Sequence, residues 1–189
     1  KVTPPIIDGR EGVVRASKSQ TIVLDDLKEI VFEVMSTLDK WSPNELAELR
    51  PIPLGVLRKN ATRRHGVTRW KLGSNPPLIA RKVEVIDLHP QLLTDTWLAY
   101  GAKVLFHEYL HALGNIKHDS IFKKLESLWP SVEAKEMGRA FTTAMSRAKS
   151  KWIWRCETCK IKHYRQKRCN GRYKCRKCDK ILLDEVNTG

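Results

Sequence analysis

Two histidines and a glutamate stand together in the segment His107-Glu108-Tyr109-Leu110-His111. On a helix, His107 and His111 project from the same face one turn apart, which suits two nitrogen ligands of a single zinc ion. Glu108 can reach a water molecule at such a site without binding the metal itself. A zinc ion acidifies that water and Glu108 is placed to accept its proton, so the motif predicts hydrolysis of a polarised carbonyl.

The third ligand decides which kind of zinc site this is. A metzincin-like pattern would place a histidine at position 117, where this chain has Lys117. A thermolysin-like pattern would use a glutamate from a later helix, and the candidates are Glu126, Glu133 and Glu136. His118 lies seven residues after His111, just past Gly114, and a short loop there can fold the chain back. We therefore expect His107, His111 and His118 to form a three-histidine site with an open fourth position.

All five cysteines lie in one short segment near the end of the sequence. Cys156-x-x-Cys159 and Cys175-x-x-Cys178 bracket 15 residues, a spacing typical of a structural zinc site with four thiolates. About thirty residues cannot bury much of a core, so we expect the metal to supply most of the folding free energy of this segment. Cys169 is interpreted as a spare thiol. The chain is thus expected to hold two zinc ions, one catalytic and one structural, in a reducing, intracellular compartment (cytoplasm, nucleoid or nucleus).

The positive charge is concentrated in the same region. The chain has 35 basic and 21 acidic residues, and residues 147–180 alone hold 14 basic and 2 acidic ones. Such a segment is typical of nucleic-acid binding, and interleaved aromatic rings can stack on unpaired bases without reading sequence. We predict sequence-independent DNA binding that favours single strands or junctions. The candidate contacts are Lys151, Trp152, Trp154, Arg155, Lys160, Lys162, Tyr164, Arg165, Lys167, Arg168, Arg172 and Lys174.

Hydrophobic periodicity and turn residues predict the elements that must position these groups. Three short strands are expected to form a small antiparallel sheet, at residues 54–57, 67–72 and 78–86. Helices are expected over residues 25–41, 94–113, 120–129 and 131–149, with a further short helix that Ser42-Pro43 opens and that continues through residues 45–50. Asp25 or Asp26 is expected to cap the first, and Thr94 or Asp95 the helix that carries the motif. No run approaches about 18 apolar residues, so no membrane-spanning helix is predicted.

The sequence resembles the SprT-like zinc metalloproteases. The resemblance is most specific over residues 107–122, where the motif, a short turn and His118-Asp-Ser-Ile-Phe122 follow one another, and over the cysteines at 156–178. Residues 64–70 and 85–88 are also similar to the strand pair that precedes the catalytic helix in that family. The similarity extends from about Ile22 to Leu183.

The resemblance implies an α+β, zincin-like metalloprotease domain followed by a C-terminal zinc ribbon. The expected parts are a flexible lead-in (1–20), the protease domain (21–149), the basic ribbon (150–183) and a tail (184–189). The family includes Spartan-type proteases, which degrade proteins crosslinked to DNA. By resemblance, His107, His111 and His118 would bind zinc and Glu108 would be the general base. The implied function is a DNA-tethered endopeptidase acting on DNA-bound or DNA-crosslinked proteins, in DNA repair.

Two other functions are compatible with parts of the pattern. The histidine site could be structural in a non-proteolytic, zinc-containing nucleic-acid-binding protein, although Glu108 would then have no use. A metal-dependent ribonuclease is the other alternative, but its last histidine would fall where Lys117 stands.

Overall fold

The computed structural model describes residues 15–58, 61 and 64–188. They form an α+β protein with several helices and two small sheets. The five helices are α1 (Lys18–Thr37), α2 (Pro43–Leu49), α3 (Leu98–Ala112), α4 (Ser120–Glu126) and α5 (Val132–Lys149). The six strands are β1 (Leu54–Val56), β2 (Gly66–Trp70), β3 (Val83–Leu88), β4 (Trp152–Arg155), β5 (Lys162–Arg165) and β6 (Leu183–Val186).

Helix α1 begins earlier than its hydrophobic period predicted. Ser17 caps it, because its hydroxyl accepts a hydrogen bond from the Gln20 amide and the Gln20 side chain accepts one from the Ser17 amide. This Ser-x-x-Gln capping box replaces the predicted cap at Asp25 or Asp26. The last residues of the predicted lead-in are therefore helical, while residues 1–14 lie outside the described part. Ser42 and Glu45 cap α2 in the same way.

The first sheet is mixed, and the prediction of an antiparallel sheet was wrong for one strand pair. Its strand order is β1-β3-β2, so β3 is central and β2 lies at one edge. β2 and β3 are antiparallel, whereas β1 pairs with β3 in parallel. The sequence predicted three consecutive strands, but β1 lies on the side of β3 opposite to β2, so strands that are consecutive in sequence are not all neighbours in the sheet.

Helix α3 is buried along most of its length. Leu105, Phe106 and Tyr109 are inaccessible to solvent, and the ring of Phe32 on α1 lies 5.4 Å from that of Tyr109. The helix also starts later than predicted. Thr94 uses its hydroxyl to donate to the Gln91 carbonyl in a preceding 3-10 turn, so it does not cap α3.

The second sheet has the order β5-β4-β6 and is antiparallel throughout. β6 contains residues that the sequence assigned to the tail, and Asn187 donates hydrogen bonds to the carbonyls of Arg147 and Ser150. The described chain divides into two compact units between Gly138 and Arg139, inside α5. The prediction placed a domain boundary after residue 149; the hydrogen bonds of Asn187 join the residue that follows β6 to the last turn of α5 and to Ser150. None of the helices in the described part of the chain combines the length and the hydrophobicity that a membrane span requires.

Replacing Gly101 with Ala tests how tightly α3 is packed. An added Cβ would lie 2.7 Å from the Leu92 carbonyl oxygen, so backbone would have to move. Overpacking typically costs about 1–3 kcal/mol, against a gain of about 1 kcal/mol in helix propensity. We expect Gly101→Ala to lower the free energy of unfolding by about 1 kcal/mol in denaturant titrations. Ala99→Ser, at an exposed position of the same helix, should change it by less than about 0.5 kcal/mol; equal effects would contradict the packing argument.

Candidate metal centre

Three imidazole rings converge beside the C-terminal half of α3. His107 and His111 lie one turn apart with ring centroids separated by 4.9 Å. The Nε2 atoms of His107 and His118 are 3.1 Å apart, and one nitrogen of each of the three rings lies within 4.8 Å of the others. The three predicted metal ligands are therefore brought together.

A short, hydrogen-bonded loop returns His118 to the helix. Gly114 has a φ of 95°, a conformation that favours glycine, and the Asn115 amide donates to the Leu110 carbonyl. Asp119 then caps α4 by accepting from the Phe122 amide at 3.0 Å. The ring centroid of the fully buried Phe122 lies within 4.8 Å of the centroids of all three imidazoles, so this side chain packs against each of them.

Two of the three rings are held in orientation by a hydrogen bond at Nδ1, the outer nitrogen, which points away from the centre. His107 Nδ1 lies 2.9 Å from Glu126 Oε1, and His111 Nδ1 lies 2.7 Å from the Asn115 carbonyl oxygen. The hydrogen bond with His107 lowers the pKa of Glu126, so this residue is a carboxylate. Glu126 was an alternative ligand in the sequence; the structure places it behind His107 instead. Such partners orient a histidine and raise its basicity as a ligand.

The donor set fits a zinc ion. With Nδ1 of His107 and His111 engaged, Nε2 of each is the atom left to face the centre. Nitrogen ligands at about 2.0–2.1 Å from a tetrahedral zinc lie roughly 3.3 Å from one another, close to the separation of the His107 and His118 nitrogens. Burial lowers the pKa of His111, which favours the neutral imidazole that metals bind.

Glu108 lies next to this centre and is held by strand β2. The Thr68 hydroxyl donates to Glu108 Oε2 at 2.7 Å, and a Cβ at Gly66 would lie 2.8 Å from Glu108 Oε1. Burial raises the pKa of Glu108, while the Thr68 hydrogen bond and the nearby His107 lower it. A carboxyl group with these opposing influences is suited to accept and release a proton. Sequence reasoning missed Thr68, since it lies 40 residues from its partner.

Two cavities flank the motif and share Gly66, His107 and Glu108. One, of about 280 Å³, is also lined by Arg64, His65, Tyr100, Lys103, Val104 and Glu126. The other, of about 310 Å³, is also lined by Val67, Thr68, Trp70, His111, Ile116 and His118.

An oxyanion-stabilising group would have to come from a side chain near the motif, and three to compare are Tyr100, Tyr109 and His89. Tyr100 lines the first cavity, where its hydroxyl lies 2.7 Å from His65 Nδ1. Burial raises the pKa of Tyr100 to about 12, so it is a neutral phenol at physiological pH. Tyr109 and His89 are buried and line neither cavity.

The second group of potential metal ligands lies in the second unit. One ligand atom from each of Cys156, Cys159, Cys175 and Cys178 lies within 4.8 Å of the others. In each of the two turns, a residue with positive φ follows the cysteine pair: Lys160 at 57° and Asp179 at 49°. The four thiols can hold a metal ion, and their number and type are compatible with zinc. Cys169 is outside the group, and its buried thiol donates to the Leu182 carbonyl at 3.0 Å.

The predicted nucleic-acid contacts all lie in the second unit. Most of the cations are exposed, but Arg155 is half-buried and pairs with Glu185 at 3.1 Å, so its charge is partly balanced. Trp154 stacks on Tyr173 with centroids 4.6 Å apart, and Arg165 lies over the Trp154 ring. A groove of about 560 Å³ is lined by Trp154, His163, Arg165, Tyr173, Lys174, Arg176 and Leu182. The predicted contacts had not included His163, Tyr173 or Arg176.

Removing the carboxylate behind His107 tests the first centre. We expect Glu126→Ala to weaken zinc binding about 10–100-fold, because His107 loses the group that orients it and raises its basicity. Competition with a chromophoric chelator measures the affinity. Glu133→Ala removes an exposed carboxylate in the first turn of α5 and should leave the affinity unchanged. A loss of equal size in both variants would contradict the role given to Glu126.

The cysteine assignment predicts different metal contents for two single variants. The wild-type chain should bind two zinc ions, one at each group. Cys175→Ser should reduce this to one and unfold the ribbon, since a small segment depends on its metal. Cys169→Ser should retain two. Elemental analysis of the purified proteins measures the ratio, and loss of a zinc ion from Cys169→Ser would show that this thiol is a ligand.

A scan against protein-family models and searches of curated proteins and of solved structures found no match for this chain. A functional assignment therefore depends on the residues and distances described above.

Proposed function

We propose that the chain is a zinc-dependent endopeptidase with a zincin-like catalytic domain, tethered to DNA by its ribbon. The observation that carries the proposal is the placement of Glu108 beside three converging histidines, in a cleft bounded by strand β2. A site that only stabilised the fold would have no use for a buried carboxylate that lines this cleft.

The metal ion and the side chains of the protein would have separate roles in the reaction. Zinc bound by the three histidines would supply a Lewis acid that acidifies water and polarises the substrate carbonyl. Glu108 accepts the proton of the attacking water and passes it to the leaving amine. Thr68 holds one oxygen of Glu108, so the other oxygen is the one available for that transfer. Tyr100 lines the adjoining cavity and is the remaining candidate for stabilising an oxyanion.

The position of strand β2 favours a peptide as the substrate. It lies at the edge of the first sheet and lines both cavities beside Glu108. An edge strand offers backbone hydrogen-bonding groups to an extended chain, so a peptide can dock irrespective of most of its side chains. This favours a protease of broad selectivity.

The side chains of the ribbon favour DNA as the partner to which this segment binds. Trp154 and Tyr173 form an aromatic stack beside exposed Arg165, Lys174 and Arg176, and together they line one groove. Aromatic faces stack on bases and cations contact phosphates without reading sequence. Holding the enzyme on DNA would raise the local concentration of DNA-bound or DNA-crosslinked proteins as substrates. The cellular role that follows is the removal of such proteins during DNA repair.

Cleavage of a DNA-binding protein by the zinc-loaded chain, with and without single-stranded DNA, tests the proposal. Wild type should cleave faster when DNA is present. Glu108→Gln should reduce cleavage by about 10²–10⁴-fold, as expected for loss of a general base, while zinc content and DNA affinity stay unchanged. Glu133→Gln, which changes an exposed carboxylate, should behave as wild type.

The other outcomes separate the parts of the proposal. Cleavage that depends on Glu108 but not on DNA would retain the protease and remove the tether. Cleavage by Glu108→Gln at the wild-type rate would disprove the mechanism. Zinc and DNA binding with no cleavage by any variant would favour the alternative, a non-proteolytic nucleic-acid-binding protein.

A further inference from the structure

The two cavities beside Glu108 differ in chemical character. The second cavity is lined by three apolar side chains, Val67, Trp70 and Ile116, the last with 43% of its surface exposed. The first cavity carries the cations Arg64 and Lys103. A substrate that occupies both cavities therefore meets an apolar surface on one side of Glu108 and a charged one on the other.

Arg64 is the cation of the first cavity that can receive a new partner. Lys103 lies 3.8 Å from Glu126, so its charge is already balanced in part. His65 is neutral at physiological pH because burial lowers its pKa. Arg64 is exposed and has no acidic partner among the residues that the structure describes. A carboxylate entering this cavity would find a guanidinium available for two parallel hydrogen bonds.

The direction of β2 fixes which part of a peptide reaches each cavity. The strand runs from Gly66, which lies beside Arg64, to Trp70. Antiparallel pairing is the more stable arrangement, and a peptide so paired with β2 runs from the Trp70 end to the Gly66 end. Its residues before the scissile bond then lie near Trp70 and Ile116, and those after the bond lie near Arg64.

We propose that this cleft selects protein segments with an apolar residue on the N-terminal side of the scissile bond and an acidic residue on the C-terminal side. Ile116 and Trp70 contact the apolar side chain, and Arg64 pairs with the carboxylate. This selectivity rests on the proposed function, since it describes the substrate of the same site. One partly solvated ion pair changes affinity by about fivefold or less, so the selection is a preference within a broadly acting enzyme.

Matched peptides test the preference. The first carries Leu before and Glu after the expected cleavage point; others replace Glu by Gln or Lys, replace Leu by Ala, or exchange the Leu and Glu positions. We expect the Leu–Glu peptide to be cleaved with the highest kcat/KM, about fivefold above the Gln peptide, with cleavage sites read by mass spectrometry. Binding of the same labelled peptides to zinc-loaded Glu108→Gln, measured by fluorescence anisotropy, gives the same order without turnover.

Variants at exposed positions assign the preference to residues. Arg64→Glu should reverse the order of the Glu and Lys peptides in both assays. Arg81→Glu makes the same charge change at an exposed site that lines neither cavity, and should leave the order as in wild type. Ile116→Ala should reduce the discrimination between the Leu and Ala peptides.

Each outcome bears on the selectivity or on the function separately. Cleavage with no preference, or equal preferences in Arg64→Glu and Arg81→Glu, overturns the selectivity and leaves the protease intact. Equal use of the exchanged peptide overturns the antiparallel placement, and the proposal with it. Preferred binding of the Leu–Glu peptide to Glu108→Gln, lost in the Arg64→Glu background, supports the subsite even if no peptide is cleaved, in which case the proposed function fails.

Discussion

Helix α3 carries three ionisable side chains of the site while most of its surface is buried against apolar neighbours. A buried polar group is costly unless it is hydrogen-bonded, so each of these side chains must have a partner. Glu108 takes a hydrogen bond from Thr68, His107 pairs with Glu126, and His111 with the Asn115 carbonyl. The edge strand, the loop and α4 are each required because each supplies one of these partners.

This requirement also orients the nitrogen atoms that could bind a metal ion. Once the outer nitrogens of His107 and His111 are engaged, their Nε2 atoms face a common centre. Gly66 leaves room for the Glu108 carboxylate, since any side chain there would meet its oxygen. The shape of the cleft is thus a consequence of satisfying the polar groups of one helix, and the two cavities are the space that remains on either side of Glu108.

The site residues that the sequence predicted are those whose spacing is local. His107 and His111 are related by one helical turn, and each Cys-x-x-Cys pair occupies a single tight turn, so residue type and spacing were sufficient. Thr68 could not be found in this way, because nothing in the sequence indicates which residue of β2 faces Glu108. The parallel β1–β3 pair was missed for a similar reason, as strand order depends on contacts between distant segments. The start of α1 could have been predicted, since Ser17 and Gln20 form a recognisable capping pattern.

The loop between α3 and α4 has a consequence for how the molecule assembles. The first and last of the three histidines are 11 positions apart, and the loop between them is closed by local hydrogen bonds, so bringing the ligands together costs little loop-closure entropy. The Thr68–Glu108 contact spans 40 residues and forms only when the sheet docks on the helix. Local contacts generally form faster than distant ones, so the ligand set can assemble before the proton acceptor is oriented. For the proposed enzyme, this order would let a folding chain bind its metal before Glu108 is placed to accept a proton.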